Sequence, residues 1–174
     1  MQKVKNKLLA QDKVRYGDGK IPHFQKYLRK YRDAHSRLLK ILYKVLYVFS
    51  ARINHIEIPL ATEIGGGLYI GHPFCITVNP EAKIGRNCNI HKGVTIGREN
   101  RGRRKGAPVI GDSVWIGVNA TVVGRITVGD DVLIAPNAYV NCDIPSHSVV
   151  LGNPCVIRHR DDATENYINR KCES

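Results

Sequence analysis

Glu57, His72 fifteen residues later, and His91 nineteen beyond that are side chains of types that move protons. Near neutral pH an imidazole accepts a proton from an attacking hydroxyl and hands it to a leaving group, so the histidines are the first candidates for a general base. Spacing alone leaves His72 with two readings, that base or a corner histidine satisfied by backbone groups. Between Gly97 and Val109 the chain sets Arg98, Arg101, Arg103, Arg104 and Lys105 against Glu99 alone. Those cations suit an anionic ligand, and the competing reading is a solvated excursion. Five cysteines without a C-x-x-C pair point away from a disulfide framework or a zinc ribbon, and no metal is expected. An intracellular, reducing compartment follows as the default.

What must position these residues is a repeat. From Ile110 to Pro145 apolar residues recur every six positions, at Ile110, Ile116, Val122, Val128, Ile134 and Val140, with a second inward set four residues after each, from Val114 to Ile144. A period of six fits neither the three-and-four spacing of a helix nor the long alternation of a two-sided strand. It fits short strands separated by tight corners, three to each triangular turn of a parallel β-helix. One turn cannot bury its own apolar face, so turns stack. A β-sandwich of short strands is the alternative, and six consecutive in-frame positions count against it. Ile64, Ile70 and Ile76 extend the frame backwards, as do Ile84, Ile90 and Ile96 after a two-residue slip, so the coils begin near Ile58. Gly111, Gly117 and Gly129, with Asn119, Asp130, Asp131 and Asn137, fall where corners need positive φ or side-chain bonds to the backbone. Cys88 is an in-frame interior residue and Cys155 packs, and neither is assigned chemistry.

The flanks differ in character. Residues 1–55 carry 14 Lys and Arg against three acids, so most of the chain's net charge of +12 belongs there. Residues 1–20 are polar and weakly patterned, with a turn at Tyr16–Gly19. From Ile21 two short amphipathic helices are expected, one with Phe24, Tyr27, Leu28 and Tyr31 on a face, the other with Leu38, Leu39, Leu42, Val45, Leu46 and Phe49. Their basic residues would meet an anionic membrane surface, a phosphate-bearing substrate, or only water. Leu38 to Phe49 falls well short of the roughly 20 apolar residues that span a bilayer, and Met1–Ala10 lacks the apolar run and cleavage site of a signal peptide. No base-reading motif accompanies the positive charge, so nucleic acid is not an expected partner. Three segments result: a basic helical region at 1–55, a β-helix at 56–158 with the loop 97–109 inserted, and a polar tail at 159–174, read as a short helix or mobile.

The hexapeptide run, the Gly152-Asn153-Pro154-Cys155 cap, Glu57-Ile58-Pro59 and the stretch Glu63-Ile64-Gly65-Gly66-Gly67-Leu68-Tyr69-Ile70-Gly71-His72 resemble the serine acetyltransferase branch of the left-handed β-helix acyltransferases. Ala82-Lys83-Ile84-Gly85 and Gly93-Val94-Thr95-Ile96-Gly97 add to the likeness, which covers about residues 56–158. The resemblance implies a left-handed parallel β-helix with a short N-terminal α-helical region and an acetyl-CoA-dependent O-acetyltransferase. It also implies a homotrimer with active sites between neighbouring β-helices. His72 falls on the family's catalytic histidine and Glu57 on the aspartate partner that fixes its tautomer. His91, about one coil on, would line the same groove or hold substrate. By the same match acetyl-CoA lies along Val118, Ala135 and Pro136, with Arg158 or the loop arginines near its phosphates; the loop's own charge separately puts Arg103 and Arg104 beside an acidic or phosphate-linked acceptor. Galactoside-type relatives carry their histidine in the loop before the late coils, and Gly97–Val109 has none.

Departures from the pattern concern the acceptor. Where the family places an aspartate before the catalytic histidine this chain has Gly71, and an arginine and histidine near the loop's end are replaced by Gly106 and Ala107. The expected activity is therefore acetyl transfer to a saccharide hydroxyl in surface polysaccharide biosynthesis, in the cytoplasm or at the inner face of the membrane. The alternatives are a serine O-acetyltransferase of cysteine biosynthesis and a non-catalytic β-helix scaffold.

Overall fold

The computed structural model describes residues 7–173, so part of the reading of the amino terminus, at residues 1–6, lies outside the described residues. From Ile56 onward the chain winds as a left-handed parallel β-helix. The first coil carries β1 (Ile56–Glu57), β2 (Glu63–Ile64) and β3 (Tyr69–Gly71); the second, β4 (Ile76–Val78), β5 (Lys83–Ile84) and β6 (Asn89–His91). The third carries β7 (Thr95–Gly97), β8 (Val109–Ile110) and β9 (Trp115–Ile116), and the fourth β10 (Thr121–Val123), β11 (Thr127–Val128) and β12 (Val132–Ile134). β13 (Tyr139–Val140), β14 (Ser148–Leu151) and an antiparallel β15 (Val156–His159) finish it. Up to β13 every third strand stacks on the last, and β14 then adds to β12 and β15 to β14, giving sheet A (β1-β4-β7-β10-β13), sheet B (β2-β5-β8-β11) and sheet C (β3-β6-β9-β12-β14-β15).

Both inward sets of the six-residue repeat are buried, from Val114 and Ile116 through Ala138 and Val140. Identical positions stack directly, as Ile70, Ile90, Ile116, Ile134 and Val150 do in sheet C. Ile144 departs from its expected place: it bridges Val128 in the sheet B position, because the chain takes only four residues from Val140 to reach it. The corners use left-handed backbone at Asn119 (φ 58°), Asp131 (φ 53°) and Asn137 (φ 61°), residues that tolerate it. Gly117 serves another purpose than positive φ: a Cβ there would lie 2.6 Å from the Pro136 nitrogen of the next coil.

Three helices, one more than expected, close the N-terminal end: α1 (Lys7–Tyr16), α2 (His23–Asp33) and α3 (Arg37–Ile53). Phe24, Leu28, Tyr47 and Ala51 continue the core over the first coil. That coil has no earlier coil to bond with, and polar side chains take the missing place. The fully buried pair Asp12–Arg29 (2.8 Å) supplies three of these bonds. Asp12 Oδ1 accepts from the Leu68 amide at 3.0 Å, and Arg29 donates to the carbonyls of Ile64 (2.8 Å) and Gly65 (2.6 Å). Tyr16 Oη accepts from the Ile70 amide at 2.8 Å. α1 escapes a hydrophobic pattern because its buried residues are Leu9, Asp12 and Arg15, two of them charged.

The tail is neither helical nor loose. It runs back along the outside of sheet C with Ala163, Thr164 and Ile168 buried, held by Asp131, which accepts from the Ala163 amide (2.9 Å) and the Thr164 amide (3.0 Å). Near its end the Cys172 amide donates to Asn87 Oδ1 at 2.8 Å.

Candidate active site

His72 follows β3 and opens the corner that joins sheet C to sheet A. In later coils that corner takes six residues from one stacked interior position to the next, as from Ile90 to Ile96. Here it runs from Ile70 to Val78, because Val78, not Ile76, pairs with Ile96. The two extra residues widen the corner and put His72 (φ 53°) and Cys75 (φ 51°) in left-handed conformations. Phe74 packs edge-on to His55 with ring centroids 5.3 Å apart. The His72 side chain is exposed, and the residue lines a groove of about 930 Å³ together with Ile21, Pro22, Tyr27, Leu46 and Phe49.

Sheet C register stacks Ile70, Ile90, Ile116 and Ile134, so two residues on, His72, Lys92, Val118 and Pro136 fall at matching positions along one edge, with Ala135 adjoining. Backbone bonds knit that edge, from the Asn119 amide to the Lys92 carbonyl (3.0 Å) and from the Asn137 amide to the Val118 carbonyl (2.9 Å). Arg158 lies elsewhere, exposed on β15 opposite Val149. Glu57 stacks on Thr77 in sheet A, and its Oε2 accepts from Thr77 Oγ1 at 3.3 Å. Among the described residues no hydrogen bond or ion pair joins Glu57 to His72. The loop is ordered: Glu99 and Gly106 exchange amide-to-carbonyl bonds of 3.0 Å, and the Arg125 amide donates to the Arg104 carbonyl at 2.8 Å. It leaves the corner between sheets A and B, so one chain does not bring Arg103 and Arg104 to His72.

Residues 107–142 match the bacterial transferase hexapeptide family (six repeats). The chain is 37% identical over 125 residues to a serine acetyltransferase of Helicobacter pylori, a match that covers 67% of this chain and 73% of that protein. The chain belongs to the serine acetyltransferase branch of the hexapeptide-repeat acyltransferases. Among solved structures, the Brucella abortus serine acetyltransferase aligns with a TM-score of 0.73 at 26% identity, covering 90% of this chain and 70% of that one. The Neisseria gonorrhoeae serine acetyltransferase in complex with serine aligns at 0.62 and 30% identity, covering 77% of this chain and 53% of that one. The chain thus spans about half the length of that last relative. It is an acyltransferase, and acetyl-CoA is the donor its family uses.

In this acyltransferase the departure at Gly71 has a visible consequence. Gly71 pairs with His91 in sheet C, and a Cβ on Gly71 would come within 2.5 Å of the His91 ring. The imidazole therefore lies over a position that has no side chain and packs against Trp115, with ring centroids 4.7 Å apart. Its Nε2 is buried without a hydrogen-bond partner among the described residues. Burial, and after it the neighbouring His72, hold the His91 pKa below the ordinary histidine value. His91 lines a polar cavity of about 310 Å³ with Arg15, Asn89, Trp115 and Tyr167, separated from the His72 groove by Tyr16 and Tyr69, whose rings are 4.7 Å apart. These aromatics are not among the expected site residues. Tyr69 and Trp115 each precede an in-frame isoleucine, the one signal that marked them as outward-facing on sheet C, whereas nothing local places Tyr16 or Tyr167 there.

The lowered His91 pKa has a testable sign. The native state binds this proton more weakly than the unfolded chain, so the stabilisation is complete above the unfolded value of about 6.5 and is lost as pH falls through the folded value. Thermal melts from about pH 7.5 down to about pH 5 should show a smaller acid-side loss for His91→Phe than for the natural chain.

Proposed function

We propose that this chain is an acetyl-CoA-dependent O-acetyltransferase in which His72 takes the proton from an acceptor hydroxyl as it attacks the thioester and returns it to the departing CoA thiolate. The observation that carries this is the widened corner. It sets an exposed histidine at a groove large enough for an acceptor and on the same edge as Val118, Ala135 and Pro136, where the pantetheine and thioester would lie. No covalent acyl-enzyme is needed, because the hydroxyl attacks the thioester directly. Glu57 serves as carboxylate partner when its exposed side chain turns from Thr77 to the imidazole. The loop and His72 leave different corners of one prism, so Arg103 and Arg104 reach an acceptor held at His72 across a contact between copies. That is the reason for including a homotrimer in the proposal.

Serine is the acceptor that the relatives' names support, ahead of the saccharide expected from the sequence. One observation favours the saccharide as a second reading: the Gly71 position is closed over by His91 and offers no carboxylate for an amino acid, while Gly106 and Ala107 supply no cation. Following thiol release from acetyl-CoA with serine, or with candidate sugars, separates the two. Arg103→Glu with Arg104→Glu should raise the acceptor KM by about tenfold and leave kcat within about twofold, if these arginines bind without entering the reaction. A drop in kcat alone would remove them from the binding role.

A further inference from the structure

The face of α3 that points away from the β-helix is apolar and uncovered. Tyr47 and Ala51 face the core, while Leu38 (79% exposed), Val45 (61%), Phe49 (69%) and Ile53 (63%), with Leu42 between them, form one stripe at helical spacing on the opposite side. A helix that is apolar all round is ordinarily buried, and a contiguous stripe of this kind marks a surface that meets something. The same helix carries Arg37, Lys40, Lys44 and Arg52, all exposed, and no acid. Its neighbour α2 adds Lys26, Lys30 and Arg32 against Asp33 alone. At 17 residues α3 is too short to cross a bilayer.

We propose that α3 docks the protein on an anionic lipid surface, lying in the plane of the interface with its apolar stripe inserted. Basic residues on the polar face of a helix whose apolar stripe inserts are the pattern that phosphate-bearing lipid headgroups recognise, each cation near the surface adding attraction to the burial of apolar area. Pairing of α3 with the α3 of a second copy is the less suitable arrangement, because it sets four cations against four with no acid on either helix. Docking also has a catalytic consequence, which rests on the reading of His72 as the base. Phe49 and Ile53 belong both to the stripe and to the wall of the His72 groove, so the groove would open at the lipid interface.

Flotation of the full chain with vesicles tests this without any catalysis. Vesicles of phosphatidylcholine containing about one-third phosphatidylglycerol should carry the protein up the gradient, and vesicles of phosphatidylcholine alone should carry at least about tenfold less. Leu42→Asp with Val45→Asp, both at exposed positions outside the groove, should abolish binding while circular dichroism and acetyl-CoA turnover in solution stay unchanged. Failure to float with anionic vesicles, or flotation that these changes leave intact, would overturn the proposal whether or not the chain acetylates anything. A lower sedimentation mass for the variant without any vesicle binding by the natural chain would assign the face to a second copy instead.

Discussion

Replacing Asp12 with alanine should cost about 3–5 kcal/mol of folding stability, although Asp12 lies far from any chemistry in the sequence. The change leaves the Arg29 guanidinium buried without its carboxylate and removes the acceptor for the Leu68 amide and for Gln25 Nε2. Because the penalty comes chiefly from an unpaired buried charge, the double change Asp12→Ala with Arg29→Met should cost less than Asp12→Ala alone, an unusual order for successive deletions. Urea unfolding of the three variants measures this. Equal or additive losses would show that the pair does not act as a unit in closing the end of the β-helix.

That closure marks the border between what the residues disclose and what only folding reveals. The coils from Ile110 to Val140 are legible because each places an aliphatic side chain inward at a fixed interval, and burial enforces the interval. Asp12, Arg15, Gln25 and Arg29 carry no such mark. They are buried because the first coil's backbone needs donors and acceptors, a demand that arises only when distant segments meet. The tail was misread for the same reason, since its anchor Asp131 also occupies a regular corner. His72 is singled out by its neighbours in sequence. The reason it projects, two extra residues in one corner, appeared only as a slip in the repeat.

His72→Asn is expected to lower kcat/KM by about 10²- to 10⁴-fold, the usual contribution of a positioned general base. Asparagine is the suitable replacement because it tolerates the left-handed backbone at φ 53°, so the corner keeps its shape. The exposed side chain makes no hydrogen bond among the described residues, so the melting temperature should hardly move. His91→Asn provides the comparison. It alters a half-buried ring packed on Trp115, and it should change stability and acceptor KM more than kcat. If His91→Asn abolished turnover and His72→Asn did not, the base would have to be reassigned to the polar cavity beyond Tyr69.

The most direct measurement is thiol release from acetyl-CoA by the purified natural chain, with serine as acceptor and the product identified by mass. The expected result is serine-dependent release, a product heavier than serine by one acetyl group on oxygen, and loss of both in His72→Asn. Release that sugars stimulate and serine does not would keep the base and replace the acceptor. Absence of acetyl transfer to any hydroxyl, or transfer that His72→Asn leaves untouched, would contradict the central claim.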